Sequence, residues 1–248
     1  MSLCNDVAIS VFLAKELSEV PDGSRGALLD LGCGTQPYRP LYQHRFRQTV
    51  TGDHTVRSRV DVQLDIHDLP FADEAFDAVI LSEVIEHVTD PLRGLLEIQR
   101  VLKRDGLIFL TWPFIYPLHE LPNDYVRYTE FGMNRLLAKS GFQLETLTRR
   151  GDFIAVGLAM AEQCLFNLLE ALGRIPVVGR AIFRWTKPIG RGIALGFWRV
   201  YLASFGTSSW TNPRSAGDGL KGPLAHLGQW TMGYCSRGRK IRNEGQCV

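Results

Sequence analysis

Short apolar runs alternate with longer amphipathic stretches over the first 148 residues of this chain. The apolar runs predict strands at about 26–31, 48–52, 60–64, 76–81, 107–111 and 142–148. The stretches between them predict helices at about 4–20, 39–47, 91–103 and 129–141. Strands that alternate with helices form a parallel sheet with helices on both faces, so we predict an α/β fold. The carboxyl ends of the strands then share one edge, where such sheets bind ligands.

The pattern changes after residue 149. Residues 153–172 predict a helix with a wide apolar face, and alternation typical of a strand returns only at 230–236. We therefore divide the chain into a core (1–149), a helical insertion (150–226), and a closing strand with a basic tail (227–248).

Two roles are open for the helical insertion. It is either a lid or dimer interface, or an element that lies on an anionic membrane surface through about residues 150–205. Six basic residues and no acidic ones occur from Arg174 to Arg199. They favour a surface contact and disfavour a membrane-spanning hairpin. The oligomeric state does not follow from the sequence.

Charge is distributed unevenly, although the net charge is only +2. Residues 171–248 contain 12 Lys or Arg and two Asp or Glu, so the first 170 residues have eight more acidic than basic residues. This acidic part argues against nucleic acid as a partner. The cysteines lack the close spacing of a zinc site or disulfide scaffold: Cys4, Cys33, Cys164, Cys235 and Cys247. We predict no metal site and a cytoplasmic protein, with association with the inner face of the membrane as an alternative.

The first predicted strand leads into a glycine turn at residues 28–35 (LLDLGCGT). Gly32 and Gly34 allow a sharp bend and the close approach of a ligand to the backbone. Pro37 suits the first position of a following helix. The turn therefore predicts a ligand site at this strand end.

Acidic residues end the next two predicted strands. Asp53 comes about 20 residues after the turn, where a carboxylate accepts hydrogen bonds from both hydroxyls of a ribose. Asp65 is placed to accept from an adenine amino group, with the Ile66 backbone N–H facing a ring nitrogen. One such acid alone is as easily a surface turn residue. Together with Asp30, however, there are three acids at three strand ends, and this favours a ligand site.

Three longer segments have the order and spacing of a known family. They are residues 65–80 (DIHDLPFADEAFDAVI), 82–88 (SEVIEHV) and 97–106 (EIQRVLKRDG). With the glycine turn they resemble class I S-adenosylmethionine-dependent methyltransferases over about residues 27–142. The resemblance implies a Rossmann-like, seven-stranded sheet with an antiparallel last strand, and S-adenosyl-L-methionine as the cofactor. It also implies a set of cofactor contacts: Asp30, Gly32, Cys33, Gly34, Asp53, Asp65, Ile66 and Ser82.

Two departures from related patterns narrow the class of enzyme. Gln36 and Pro37 stand where a third glycine is common, which disfavours a nicotinamide-dependent oxidoreductase because a pyrophosphate needs that close approach. Residues 82–85 (SEVI) stand where DNA amine methyltransferases have a Pro-Pro-aromatic loop, and this difference disfavours a DNA methyltransferase. A methyl donor site remains the best interpretation.

Residues 113–128 (PFIYPLHELPNDYVRY) follow the fifth predicted strand and start on the ligand-binding edge. They resemble a segment of bacterial methyltransferases associated with cell-envelope or surface-glycan synthesis. A hydroxyl acceptor must lose a proton, so it needs a base. His119 is our candidate base, and Asp124 is the acid that orients it. Alternatively, Asp124 pairs with Arg127 to brace the loop, and His119 is a solvated turn residue. His87 is a further candidate for the base.

We therefore predict an enzyme that methylates a small-molecule or glycan acceptor, including a lipid-linked one, on an oxygen rather than a nitrogen. The competing prediction is a catalytically silent protein that uses the same fold to bind a partner. Release of S-adenosylhomocysteine separates the two.

Overall fold

The computed structural model contains a seven-stranded sheet with the strand order β3-β2-β1-β4-β5-β7-β6. The structure describes residues 3–20, 25–55, 60–173 and 231–241. The strands are β1 (Arg25–Leu31), β2 (Phe46–Asp53), β3 (Val62–Gln63), β4 (Phe76–Ser82), β5 (Leu102–Pro113), β6 (Phe142–Arg150) and β7 (Gly233–Lys240). Strands β1 to β5 pair in parallel, and β7 is antiparallel to β5. The predicted Rossmann-like fold with an antiparallel last strand is confirmed.

Five α-helices and one short 3-10 helix occur in the described residues. They are α1 (Leu3–Ser18), α2 (Arg39–Tyr42), the 3-10 helix (Ile85–His87), α3 (Pro91–Val101), α4 (Glu130–Lys139) and α5 (Phe153–Gly173). The Asp90 side chain accepts from the Arg93 N–H at the start of α3, and Thr129 accepts from the Gly132 N–H at the start of α4. These caps satisfy backbone donors of the first turn and fix where both helices begin.

Successive residues of the central strands face opposite sides of the sheet, and helices cover both sides. One buried cluster joins β1 and β4 to α3 and α4, and it includes Leu29, Val79, Leu95, Ile98 and Met133. The other joins the same strands to α1 and α2, and it includes Ile9, Leu13, Leu28, Tyr42 and Ile80. The loops at the carboxyl ends of β1 and β4 therefore start from strands that are buried on both faces.

The segment after the glycine turn is less helical than predicted. Gln36 adopts a φ of +60°, and helix α2 contains only Arg39–Tyr42. Pro37 is therefore not the first helical residue, and the helix predicted over 39–47 is confirmed only for Arg39–Tyr42. Phe46 is buried and pairs with Arg25 as the first residue of β2. Because Phe46 is part of strand β2, the predicted helix cannot extend to residue 47.

Strands β5 and β7 also differ from the predicted bounds. Strand β5 starts directly at Leu102, so Gly106 lies within it and does not end α3. Strand β7 starts three residues later than predicted and continues to Lys240. Its Arg237 forms ion pairs with Glu16 (2.8 Å) and Glu145 (2.9 Å). These partners are distant in sequence, and they stabilise basic residues that the sequence pattern places in a tail.

The chain divides into two compact units. Of the described residues, the larger unit contains 9–148 and 233–241, and the smaller contains 3–8, 149–173 and 231–232. Helix α5 of the smaller unit forms where a helix is predicted. Residues 174–226 of the predicted insertion lie outside the described residues, so its domain bounds and its membrane contact through 150–205 stay predictions. No helix among the described residues has the length and hydropathy to cross a membrane.

Candidate active site

The glycine turn is held against the strands on both sides of β1. The N–H groups of Gly32 and Cys33 both donate to the Gly52 carbonyl of β2, at 2.8 and 3.2 Å. Gly32 has a φ of +71°, and a Cβ placed on it would lie only 2.3 Å from Val84 Cγ2. Val84 belongs to the loop after β4. Gly32 is therefore needed both for its backbone conformation and for the close approach of that loop.

Asp53 ends β2 and contacts the same turn. Its Oδ2 accepts from the Gly34 N–H (2.9 Å) and its Oδ1 from the Thr55 N–H (2.8 Å). Each carboxylate oxygen has a second acceptor site. The side chain thus positions the turn and retains acceptor capacity for the two hydroxyls of a ribose.

Asp30 is buried at the end of β1, and the Tyr42 hydroxyl donates to its Oδ2 at 2.6 Å. Burial raises the pKa of Asp30 to about 6, although the Tyr42 hydrogen bond acts in the opposite direction. Burial, with the nearby Asp30 charge, raises the pKa of the Cys33 thiol to about 12. The thiol therefore stays protonated, and the backbone of Cys33 is the group that serves the turn.

Asp65 lies at the predicted adenine side and is oriented by His67. Its Oδ1 accepts from the His67 N–H (2.9 Å) and contacts His67 Nδ1 (2.7 Å). The Asp90 N–H donates to His67 Nε2, so His67 carries its proton on Nδ1. These hydrogen bonds lower the pKa of Asp65. The Asp65 side chain is 58% exposed, which leaves it accessible to an amino group of a ligand.

Ile66, beside Asp65, packs against the first core cluster and lies within 3.2 Å of a Cβ placed on Gly94 of α3. Ser82 ends β4, and its hydroxyl contacts the Thr111 hydroxyl of β5 at 3.0 Å. The Thr111 hydroxyl also donates to Glu83 Oε1 (2.9 Å). Every predicted cofactor residue therefore lies in a turn or at a strand end along the carboxyl edge of the sheet.

The predicted acceptor loop, residues 113–128, is closed at its base and docked on the loop after β4. Trp112 Nε1 donates to the Tyr128 carbonyl at 2.9 Å, which joins the two ends. His87 Nδ1 lies 2.7 Å from the Asn123 carbonyl, and the Tyr125 N–H donates to the Glu86 carbonyl at 2.9 Å. Residues 83–88 thus contact the glycine turn through Val84 and the acceptor loop through Glu86 and His87.

His119 and Asp124, the predicted base and acid, are in contact. Asp124 Oδ2 accepts from the His119 N–H (3.0 Å) and lies 3.2 Å from His119 Nδ1. Arg127 forms a two-pronged ion pair with the same carboxylate. This ion pair, which opposes the effect of burial, lowers the pKa of Asp124 to about 2. Asp124 therefore braces the loop through Arg127 and also contacts His119, and its role as the acid that orients a base stays a prediction.

Glu86 is the residue of this region that sequence reasoning misses. Its side chain is 1% exposed, and its Oε1 lies 3.7 Å from His87 Nε2 and 3.8 Å from His119 Nε2. The rings of His87 and His119 meet edge to face with centroids 4.8 Å apart. In the sequence, Glu86 is marked only by its position directly before His87. Its contact with His119 is not visible there, because His119 lies in another loop.

Comparisons with known proteins agree with this geometry. Residues 29–110 match a family model described as a methyltransferase domain. The matched segment runs from β1 into β5 and includes the glycine turn, Asp53 and Asp65. The match implies S-adenosyl-L-methionine as the cofactor. The site fits this cofactor, because the Cβ position of Gly34 is open among the described residues and the Asp53 carboxylate retains acceptor sites for hydroxyl donors.

Several relatives have methyltransferase names. The chain is 42% identical over 160 residues to demethylmenaquinone methyltransferase of Clavibacter sepedonicus, covering 60% of this chain and 61% of the relative. It is 29% identical over 143 residues to phosphatidylethanolamine N-methyltransferase of Cereibacter sphaeroides, covering 50% and 68%. The Rv3030 protein of Mycobacterium tuberculosis, named for an S-adenosylmethionine-dependent methyltransferase activity, is 34% identical over 96 residues, or 35% of each chain. The chain thus spans less than two thirds of the first and third relatives.

Solved structures share the fold at low sequence identity. A candidate sarcosine dimethylglycine methyltransferase from Galdieria sulphuraria has a TM-score of 0.56 and 16% identity, covering 94% of this chain and 85% of that one. The [4+2]-cyclase SpnF has a TM-score of 0.53 and 20% identity, covering 93% and 80%. A cyclase among the neighbours illustrates that the fold alone does not determine the reaction.

Proposed function

We propose that this protein transfers the methyl group of S-adenosylmethionine to an oxygen of a small-molecule or glycan acceptor. One observation carries the proposal: residues 83–88 contact the glycine turn on one side and the loop bearing His119 on the other. A methyl donor held by the turn and an acceptor held by the loop would therefore meet along one short segment.

The donor needs little chemical help from the protein. S-adenosylmethionine supplies a methyl group that is already activated, so alignment of the acceptor with it is the main requirement. Gly32, Gly34 and Asp53 would hold the donor, and Asp65 with the Ile66 N–H would bind its adenine. The two ends of residues 113–128 are joined to each other, and this supports a loop that is rigid enough to align the acceptor with the donor.

His119 is the proposed base for a hydroxyl acceptor. Its Nδ1 faces two acceptors, the Asp124 carboxylate (3.2 Å) and the Pro117 carbonyl (3.3 Å). This arrangement favours the tautomer with the proton on Nδ1, which leaves the Nε2 lone pair to accept the acceptor's proton. Arg127 keeps Asp124 ionised, so Asp124 would stabilise the imidazolium that forms.

An acceptor with an apolar part fits the surface around His119. Leu118 is 70% exposed and Leu121 is 69% exposed, and both flank His119 in the same loop. Exposed apolar side chains beside a polar site are typical of ligand-binding rims. Two relatives are named for lipid acceptors, demethylmenaquinone and phosphatidylethanolamine. We therefore include lipid-linked glycans and other lipids among the proposed acceptors.

The test uses S-adenosylmethionine with an isotopically labelled methyl group, added with the protein to a cell extract. We expect label in one compound, in the organic phase for a lipid-linked acceptor and in the aqueous phase for a small polar acceptor or free glycan, together with stoichiometric S-adenosylhomocysteine. The Asp53→Ala variant is the control and should transfer no label. Tight cofactor binding without S-adenosylhomocysteine from any fraction would contradict the proposal and favour the silent scaffold. Label on nitrogen would contradict the proposed acceptor atom alone.

A further inference from the structure

A buried carboxylate and two imidazoles meet where the acceptor loop contacts the loop after β4. From this geometry we propose that Glu86, His87 and His119 bind one divalent transition-metal ion of the Zn²⁺ type. One ligand atom from each residue lies within 4.8 Å of the other two. The three residues come from two loops that are fixed to each other by the Asn123–His87 and Tyr125–Glu86 contacts.

The distances suit a small ion. Two ligand atoms that are each about 2.1 Å from a tetrahedral zinc ion lie about 3.4 Å apart. The two histidine Nε2 atoms lie 3.7 and 3.8 Å from Glu86 Oε1. Small side-chain rotations are enough to close this difference. Two histidines and one glutamate leave a fourth position for water or a substrate atom, as in catalytic zinc sites.

The outer nitrogens of both rings are oriented as in metal sites. His87 Nδ1 lies 2.7 Å from the Asn123 carbonyl, which only accepts, so this nitrogen carries the proton. His119 Nδ1 faces the Pro117 carbonyl and Asp124 in the same way. Metal-binding histidines usually donate their other N–H to a carbonyl or a carboxylate. In the neutral rings, both Nε2 lone pairs then point toward a carboxylate oxygen, an arrangement that a bound cation stabilises.

The surrounding charge also favours a cation. Among the described residues, the carboxylates of Glu83, Glu86 and Asp124 all lie near enough to Arg127 to raise the pKa of its guanidinium, and Arg127 forms its ion pair with Asp124. The Glu86 side chain is 1% exposed, and a cation bound to it there would be attracted more strongly than at the solvent-exposed surface. Imidazole ligands select zinc-type ions over Mg²⁺ and Ca²⁺, which prefer oxygen.

Metal binding changes the role of His119 in the proposed function. A ring nitrogen that binds an ion has no lone pair left for a proton. In the metal-loaded protein the ion would instead lower the pKa of an acceptor hydroxyl bound at the fourth position. Only this consequence rests on the proposed function; binding of the ion does not.

Calorimetric titration of the untagged, chelator-treated protein with Zn²⁺ alone tests the inference. We expect one ion per chain for the unsubstituted protein and for His44→Ala, which removes an exposed histidine elsewhere. His87→Ala and Glu86→Gln should each weaken binding at least 10-fold, and Mg²⁺ should not bind. Co²⁺ in place of Zn²⁺ should give the visible absorption of a four-coordinate site, and this absorption should be lost in His87→Ala.

Zinc binding that is equally tight in His87→Ala and Glu86→Gln would overturn the inference, as would the absence of stoichiometric binding. Circular dichroism of each variant shows whether a loss of binding is a loss of folding, and Glu86→Gln keeps the buried shape. The same samples are titrated with S-adenosylmethionine. Cofactor binding without zinc binding contradicts only the metal site, whereas zinc binding without cofactor binding contradicts only the proposed function.

Discussion

The donor side and the acceptor side of the candidate site are held by different kinds of contact. On the donor side, the glycine turn is bonded to the neighbouring strand through the Gly52 carbonyl, and its bend is fixed by the backbone of Gly32. On the acceptor side, two loops are joined by His87 to Asn123 and by Tyr125 to Glu86. The sheet therefore determines the donor site, while a few loop contacts determine the acceptor site.

The two sides also differ in the electrostatics of their buried acids. Burial raises the pKa of Asp30 on the donor side to about 6, whereas the ion pair with Arg127 lowers that of Asp124 on the acceptor side to about 2. At neutral pH the ionised form of Asp30 destabilises the folded state, whereas the ionised form of Asp124 stabilises it. The two buried charges therefore act on stability in opposite senses, and only that of Asp124 is held by an ion pair.

The largest expected effect is on turnover, from a change confined to the acceptor side. His119→Ala should lower the rate of methyl transfer by about 100- to 10,000-fold, the usual contribution of general acid–base catalysis. The Kd for S-adenosylmethionine should not change, because His119 is not among the donor residues. Turnover and cofactor titrations with His44→Ala as the control check this. A parallel loss of cofactor affinity would show that the two sides are not separate.

A substitution in the glycine turn should instead act on stability and cofactor binding together. Gly32→Val places a side chain where φ is +71° and where a Cβ already lies 2.3 Å from Val84. We expect a loss of about 2–5 kcal/mol in unfolding free energy. Gly34→Ala is the control, since its φ is also positive, at +51°, but apart from its chain neighbours no atom of the described residues lies within 4 Å of the added Cβ.

That control should lose only about 1–2 kcal/mol from backbone strain. Urea denaturation measures both variants. Equal losses for the two glycines would mean that the contact with Val84 does not constrain the turn.

The buried acid of the donor side should give a pH-dependent stability difference. The folded pKa of Asp30, about 6, lies above its unfolded value near 3.8, so the folded state binds the extra proton between these values. Stability from Asp30 is therefore highest below about pH 4 and falls as the pH rises through 6. Relative to the unsubstituted protein, Asp30→Asn should gain about 2–3 kcal/mol between pH 4 and pH 7.

Urea denaturation at a series of pH values tests this. Asp124→Asn should behave in the opposite sense. Its folded pKa is lowered, so its contribution is present above about pH 4 and is lost as the pH falls toward 2. We expect Asp124→Asn to be less stable at pH 7 by about 2 kcal/mol. The same sign for both acids at pH 7 would contradict the electrostatic contrast.

The same contrast explains which parts of the molecule the sequence predicts. The glycine turn, Asp53 and Asp65 are predictable because each follows a short apolar strand, and a parallel sheet brings those strand ends together. Glu86 is not, because it lies in a short 3-10 helix and meets His119 from a different loop. The His87–Asn123 contact spans 36 residues, and no local pattern records it. Likewise, β7 continues to Lys240 in its pairing with β5, and Arg237 forms ion pairs with Glu16 and Glu145, which only the folded chain brings near.

Calorimetric titration of Asp53→Ala with S-adenosylmethionine tests the central claim most directly. The carboxylate would accept from two ribose hydroxyls, and hydrogen bonds to a charged group contribute about 1.5–3 kcal/mol each. We therefore expect the variant to bind the cofactor at least roughly 100-fold more weakly than the unsubstituted protein, while circular dichroism shows that it remains folded. Asp68→Ala should bind normally. Undiminished cofactor binding by a folded Asp53→Ala variant would contradict a methyl donor site at the glycine turn.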